Sequence, residues 1–179
     1  LPDEAMWMIA SPLCLIVYLL TAYWTKSRLF TCICVLAAYS CATAALALVD
    51  APELLYVLVY AVLAFVMLLL SHRLRKTSLA DFTYSPLYII AQIVSAVTFI
   101  GSFSILVSGS SIFLENPGSL WLGLITMITG TAFYILNAYW SRNELFVYAS
   151  VLTFGCGVIG LLALFEALVL VYPLVFACL

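Results

Sequence analysis

Residues Tyr18–Phe30 read YLLTAYWTKSRLF, and residues Tyr134–Phe146 read YILNAYWSRNELF. Each stretch ends an apolar run in a Tyr-Trp pair, crosses a short cationic link and re-enters an apolar run at Leu-Phe. A link of a few residues between two long apolar segments makes them antiparallel neighbours. The pattern therefore reads as a helical hairpin whose tip reaches water. Its recurrence at an offset of 116 residues without a gap makes it an internal repeat. The match continues through Val35-Leu36 with Val151-Leu152 and Leu46-Ala47-Leu48 with Leu162-Ala163-Leu164. Asp50 falls opposite Glu166, and Tyr56 opposite Tyr172. Apolar matches alone are cheap, but the Tyr-Trp pair, the link and the closing Leu-Phe are not. Hairpins 1 and 3 read as copies of one unit in the same orientation. A fainter copy lies in hairpin 2, where Ala64-Phe65 and His72-Arg73 stand roughly where Ala132-Phe133 and Trp140-Ser141 do.

Composition supplies the solvent. Of 179 residues, 67% are hydrophobic and 8% charged, against roughly 25% charged in a soluble domain. The mean hydropathy of +1.26 belongs to a chain surrounded by lipid. With a formal net charge of -2 and no basic face, a nucleic-acid partner is excluded. The chain opens at Leu1, with no basic start and no small-residue cleavage site for a signal peptide.

A spanning helix needs about 20 apolar residues, and polar punctuation divides the chain into six. The expected spans are about 5–24, 29–49, 54–71, 86–107, 119–140 and 145–165. They make an all-α polytopic membrane bundle of three hairpins, at about 5–49, 54–107 and 119–165, in one transmembrane domain covering 1–179. The apolar tail 167–179 aligns with Ala51–Leu63, so it reads either as the beginning of a seventh span or as a re-entrant or interfacial piece. All six basic residues (Lys26, Arg28, Arg73, Arg75, Lys76, Arg142) fall in the first, third and fifth loops. By the positive-inside rule, the loops at 26–28, 72–76 and 142 face the cytoplasm and the N-terminus lies outside.

Candidate functional residues follow from depth and symmetry. Trp24 and Tyr23, with their repeat partners Trp140 and Tyr139, fit either an interfacial aromatic belt or a constriction near an inner mouth. Thr21 and Asn137 are repeat partners one turn deeper. Asn137 and Gln92 carry primary amides, which need hydrogen-bond partners in a dry bundle; interhelical bonding and lining of a solute path both supply them. Ser40, Thr43, Thr98, Thr126, Thr129 and Thr131 are further uncharged polar groups at mid-depth. Asp50 and Glu166 stand at outer helix ends, where interfacial solvation and a paired acidic mouth are both open readings. The lone His72 adjoins Arg73 at an inner boundary and reads as a solvated loop residue rather than a pH sensor. Pro12 is expected to bend helix 1, and Gly123, Gly130, Gly155, Gly157 and Gly160 to mark close packing in hairpin 3.

No catalytic constellation is visible. The six cysteines all lie in apolar runs and read as small hydrophobes. Cys32 and Cys34 point roughly 200° apart on a helix, which suits neither a metal nor a disulfide. No metal site and no cofactor are expected.

Three hairpins, short inner loops and outside termini resemble the urea/amide channel family (UreI, AmiS). The segments that carry the resemblance are Thr131-Ala132-Phe133-Tyr134 leading helix 5 to its end, and Tyr84-Ser85-Pro86-Leu87-Tyr88 entering helix 4 after Asp81. Asn143-Glu144-Leu145-Phe146 is similar to the hairpin turn of the related acetate-uptake family. The chain departs from the first family in helix 5, where Ile135 and its neighbours stand in place of a Glu, and from the second in lacking its opening Asn-Pro-x-Pro-Leu-Gly motif. The resemblance implies a symmetric homo-oligomer that passes a small polar solute of the urea, amide or short-chain-acid class. Two other readings accompany it: a non-catalytic subunit of a larger membrane complex and, in third place, an intramembrane enzyme.

Overall fold

A computed structural model of the chain describes residues 2–108 and 117–164. Among these, every regular element is an α-helix: α1 Pro2–Thr25, α2 Arg28–Leu48, α3 Glu53–Leu74, α4 Ala80–Ser108, α5 Pro117–Ser141 and α6 Glu144–Leu164. Five of them are long and apolar enough to cross a membrane, over Met6–Thr25, Arg28–Leu48, Glu53–Leu74, Ala80–Ser104 and Trp121–Ser141. The sixth contributes a shorter apolar stretch, Glu144–Ile159. The chain is thus a multi-pass helical membrane protein. Glu166 and the tail 167–179 lie outside the described residues.

Five helix boundaries fall close to the polar punctuation of the sequence, while α4 begins at Ala80 rather than near Pro86. Its extra turn is held by Leu79, whose carbonyl accepts the amides of Phe82 and Thr83 and, at 2.7 Å, the hydroxyl of Thr83. Phe82 is buried, which rewards the early start. Pro86 lies in the second turn of the helix, where it removes the bond to the Phe82 carbonyl, yet the helix runs through it. Pro12 likewise lies inside a continuous α1.

The chain packs as two compact units, Leu1–Ser95 and Ala96–Leu179. In the first, α1 packs on α2 and α2 on α3. Its centre is Val35, Tyr39 and Leu87, with Tyr60, Leu63, Met67, Ile90 and Val94 around them, so α2, α3 and the first half of α4 share one core. The Tyr39 and Tyr60 rings meet edge to face at 5.6 Å. On α3 the buried positions Ala61, Ala64, Leu68 and Ser71 form one stripe. Its small residues let backbones approach closely, the usual route to helix association in lipid, where apolar burial between helices gives no advantage over contact with acyl chains.

In the second unit α5 packs on α6. A Cβ added to Gly157 would stand 3.4 Å from the Met127 Cβ, and one added to Gly130 would stand 3.9 Å from the Thr153 methyl. The two backbones therefore approach over these glycines. Phe133 lies edge to face with Tyr134 at 5.3 Å, and Tyr134 stacks on Phe146 across the helix pair.

Candidate functional site

Two turns set the frame. α1 ends at Thr25 and α2 starts at Arg28; α5 ends at Ser141 and α6 starts at Glu144. Each link is two residues long, and the first of the two takes left-handed backbone, with φ 49° at Lys26 and 53° at Arg142. Such a residue reverses the chain directly after a helix, a place usually given to glycine. The residue before each turn also behaves alike. The Thr25 hydroxyl donates to the Thr21 carbonyl at 2.7 Å, and the Ser141 hydroxyl to the Asn137 carbonyl at 2.7 Å. The second link residue differs. Asn143 caps α6 through Oδ1, which accepts the Leu145 amide at 3.0 Å. Ser27 makes no side-chain cap, and its carbonyl instead accepts the Thr31 hydroxyl at 3.1 Å.

The candidate residues divide between the units. In the first, the Thr21 hydroxyl donates to the Val17 carbonyl at 2.8 Å. Tyr23 lines a cavity of about 310 Å³ together with Ala22, Thr31, Cys34, Leu74 and Phe82. Trp24 is 78% exposed, its indole turned away from its own helix pair. In the second unit Asn137 is 1% exposed, Trp140 is half-buried and Tyr139 is 78% exposed. The Trp24 and Tyr139 rings are thus the most outward members of the set. Asn137 is the member of the set held inside its unit, whereas Tyr23, though it lines the cavity, is 60% exposed.

Asp50 has a local structural role. It takes φ 47°, its amide donates to the Ala47 carbonyl at 3.2 Å, and the Ala51 amide donates to the Leu46 carbonyl at 3.1 Å. This pair of bonds is a Schellman closure of α2, with Asp50 in the left-handed position. Glu166, the other outer-end acidic residue, lies outside the described residues.

Two polar clusters escape the sequence reading. Trp7 Nε1 donates to Ser40 Oγ at 3.2 Å, and Ser11 Oγ pairs with the same oxygen at 3.3 Å, joining α1 to α2. Thr131 donates to Thr153 at 3.1 Å, joining α5 to α6. Thr43 and Tyr60 share a further hydroxyl pair between α2 and α3. The spacing of Trp7 and Ser11, one turn apart next to Pro12, was the available signal for the first cluster. Beside the Thr131–Thr153 pair runs an apolar groove of about 480 Å³, bounded by Leu124, Ile128 and Ile135 of α5 and Phe154, Val158 and Leu161 of α6. Among the described residues no three His, Cys, Asp or Glu side chains gather to hold a metal ion.

No family model matches the chain, and neither a curated protein nor a solved structure shows significant similarity to it.

Proposed function

We propose that the chain is a six-span facilitative channel or transporter for a small polar solute of the urea, amide or short-chain-acid class, built on a duplicated hairpin. One observation carries the reading. Among the described residues, the buried polar side chains besides Tyr and Cys are all hydroxyls and one amide, among them Ser11, Thr98, Thr126, Asn137, Ser150 and Thr153. Ionisable groups buried at membrane depth mark proton and ion coupling. An interior of neutral hydrogen-bonding groups suits an uncharged polar solute (urea, an amide or a short-chain acid in its protonated form) that exchanges water for hydroxyl and amide contacts. The duplication is supported by the two turns, which share helix ends, length and left-handed geometry at an offset of 116 residues. The basic turns are assigned to the cytoplasmic side by the segregation of their charges.

The test is flux of urea, formamide and acetate into proteoliposomes containing the full chain. Facilitated entry of at least one solute, reduced by Asn137→Ala, is expected. Rates equal to those of empty liposomes for all three would sink the reading.

A second reading, a non-catalytic subunit of a larger membrane assembly, is favoured by a different observation. On α2 the stripe Thr31, Val35 and Ala38 is largely covered within its unit, with Val35 3% exposed and Ala38 half-buried. The register-equivalent stripe on α6, Val147, Val151 and Phe154, is open, with Val151 37% exposed. A partner helix on α6 would make the two stripes alike. Copurification from mild detergent distinguishes the readings, since a stoichiometric second polypeptide supports the subunit reading and a lone homo-oligomer opposes it.

A further inference from the structure

The cavity of about 310 Å³ in the first unit lies among residues that border its basic loops. Tyr23 of its wall is one turn before Lys26. Leu74 and Leu79 flank Arg75 and Lys76, and Phe82 follows Asp81. The two loops are drawn to one end of the unit by a direct contact: Arg28 Nε donates to the Asp81 main-chain carbonyl at 2.9 Å. The Arg75 guanidinium stands 5.6 Å from the centroid of the Tyr84 ring. A carbonyl and an aromatic ring hold these cations in position without neutralising them. Lys26, Arg28, Arg73, Arg75 and Lys76 are all exposed.

An apolar cavity walled by Leu19, Tyr23, Cys34 and Phe82 takes hydrocarbon, and the five exposed cations of the loops that border it can take a phosphate. We propose that this end of the first unit is a binding site for an anionic phospholipid, with acyl chain in the cavity and headgroup phosphate among Lys26, Arg28 and the 73–76 cluster. Basic pockets between membrane helices recognise anionic headgroups in this way. The positive-inside rule alone accounts for the charges but not for an apolar recess beside them. A free phosphate would need the charges and leave the recess empty. The site shares Tyr23 with the candidate constriction but is read by lipid retention rather than by flux, so its failure leaves the flux experiment untouched.

Native mass spectrometry of the full chain in mild detergent tests the site, with phosphatidylglycerol and phosphatidylcholine of matched chains as probes. Wild type is expected to retain phosphatidylglycerol at least tenfold more strongly, and inorganic phosphate is expected not to displace it. The exposed pair Lys26→Gln/Lys76→Gln, which disturbs no packing, is expected to reduce the preference roughly fivefold per cation removed. Leu79→Trp, which fills the recess, is expected to lower retention of both lipids, with circular dichroism verifying an unchanged helix content. Equal retention of the two lipids by wild type would overturn the proposal. So would a preference unmoved by the lysine pair, displacement by inorganic phosphate, or undiminished retention in a folded Leu79→Trp.

Discussion

Lys26 and Arg142, 116 residues apart, both hold left-handed backbone as the first residue of a two-residue link between antiparallel helices. A side chain with a Cβ costs about 1–2 kcal/mol in this conformation. Glycine would relieve the strain, yet both positions carry a cation. A cation at a helix C-terminus is favoured by the macrodipole, which accounts for keeping charge there. We expect Lys26→Gly and Arg142→Gly each to raise unfolding stability by up to ~1 kcal/mol while weakening the topological bias. Thermal unfolding in detergent reads the first effect, and cysteine accessibility from either side of the membrane reads the second. A loss of more than ~1 kcal/mol in both variants would show that the cations themselves hold the turns.

Asn143 and Ser27 occupy the same place in the two turns and do different work. Because Oδ1 of Asn143 satisfies an amide of the first turn of α6, Asn143→Ala is expected to cost ~1 kcal/mol. Ser27 makes no such bond, so Ser27→Ala is expected to be nearly silent. Equal costs for the two variants in chemical or thermal unfolding would contradict the assignment.

The Thr131–Thr153 bond at 3.1 Å links α5 to α6; the single Thr131 proton can go to Thr153 or to the Met127 carbonyl, while Thr153 donates within its own helix to Ala149. Removal of either hydroxyl thus leaves the remaining one with an alternative acceptor. A double-mutant cycle of Thr131→Val and Thr153→Val is expected to give a coupling of about 0.6 kcal/mol, the usual scale for interhelical bonds in membranes. Strict additivity would mean that the contact contributes no coupling of its own.

Gly157 faces the Met127 Cβ at the distance of ordinary van der Waals contact once a methyl is added. Gly157→Ala is therefore expected to be tolerated to within ~0.5 kcal/mol, whereas Gly157→Ile should overpack α5 against α6 and cost ~1–3 kcal/mol. The comparison of the two variants, rather than either alone, tests the close approach.

The turns were legible in the sequence because their signals are local: a Tyr-Trp pair, a polar link and a resumed Leu-Phe fix helix ends to within a residue or two. The start of α4 was not, because Thr77–Ser85 is polar enough to read as loop. Only the burial of Phe82 and the Leu79 carbonyl reveal a helix there. The depth and charge of Asp50 fit interfacial solvation or an acidic mouth; its backbone adds a role in terminating α2, set by φ and invisible in the sequence. Asn143, read as a family-like turn, is also a helix cap. The hydroxyl pairs were hidden for another reason. A helix apolar on all sides has no polar face to fix its rotation, so the sequence locates Thr131 and Ser40 in depth but cannot say which neighbour each one meets.

The two-residue links also act on the bilayer. The spans Met6–Thr25 and Arg28–Leu48 are 20 and 21 residues long, roughly 30 Å at the α-helical rise and about the thickness of a hydrocarbon core. A longer loop would supply slack, but this hairpin has none. In a thicker bilayer, Lys26 and Arg28 would be drawn toward the acyl region at once, and only the reach of their side chains or local thinning of the lipid could relieve it. The same tight reversal that joins α1 to α2 therefore makes the hairpin a gauge of membrane thickness, suited to a narrow range of bilayers.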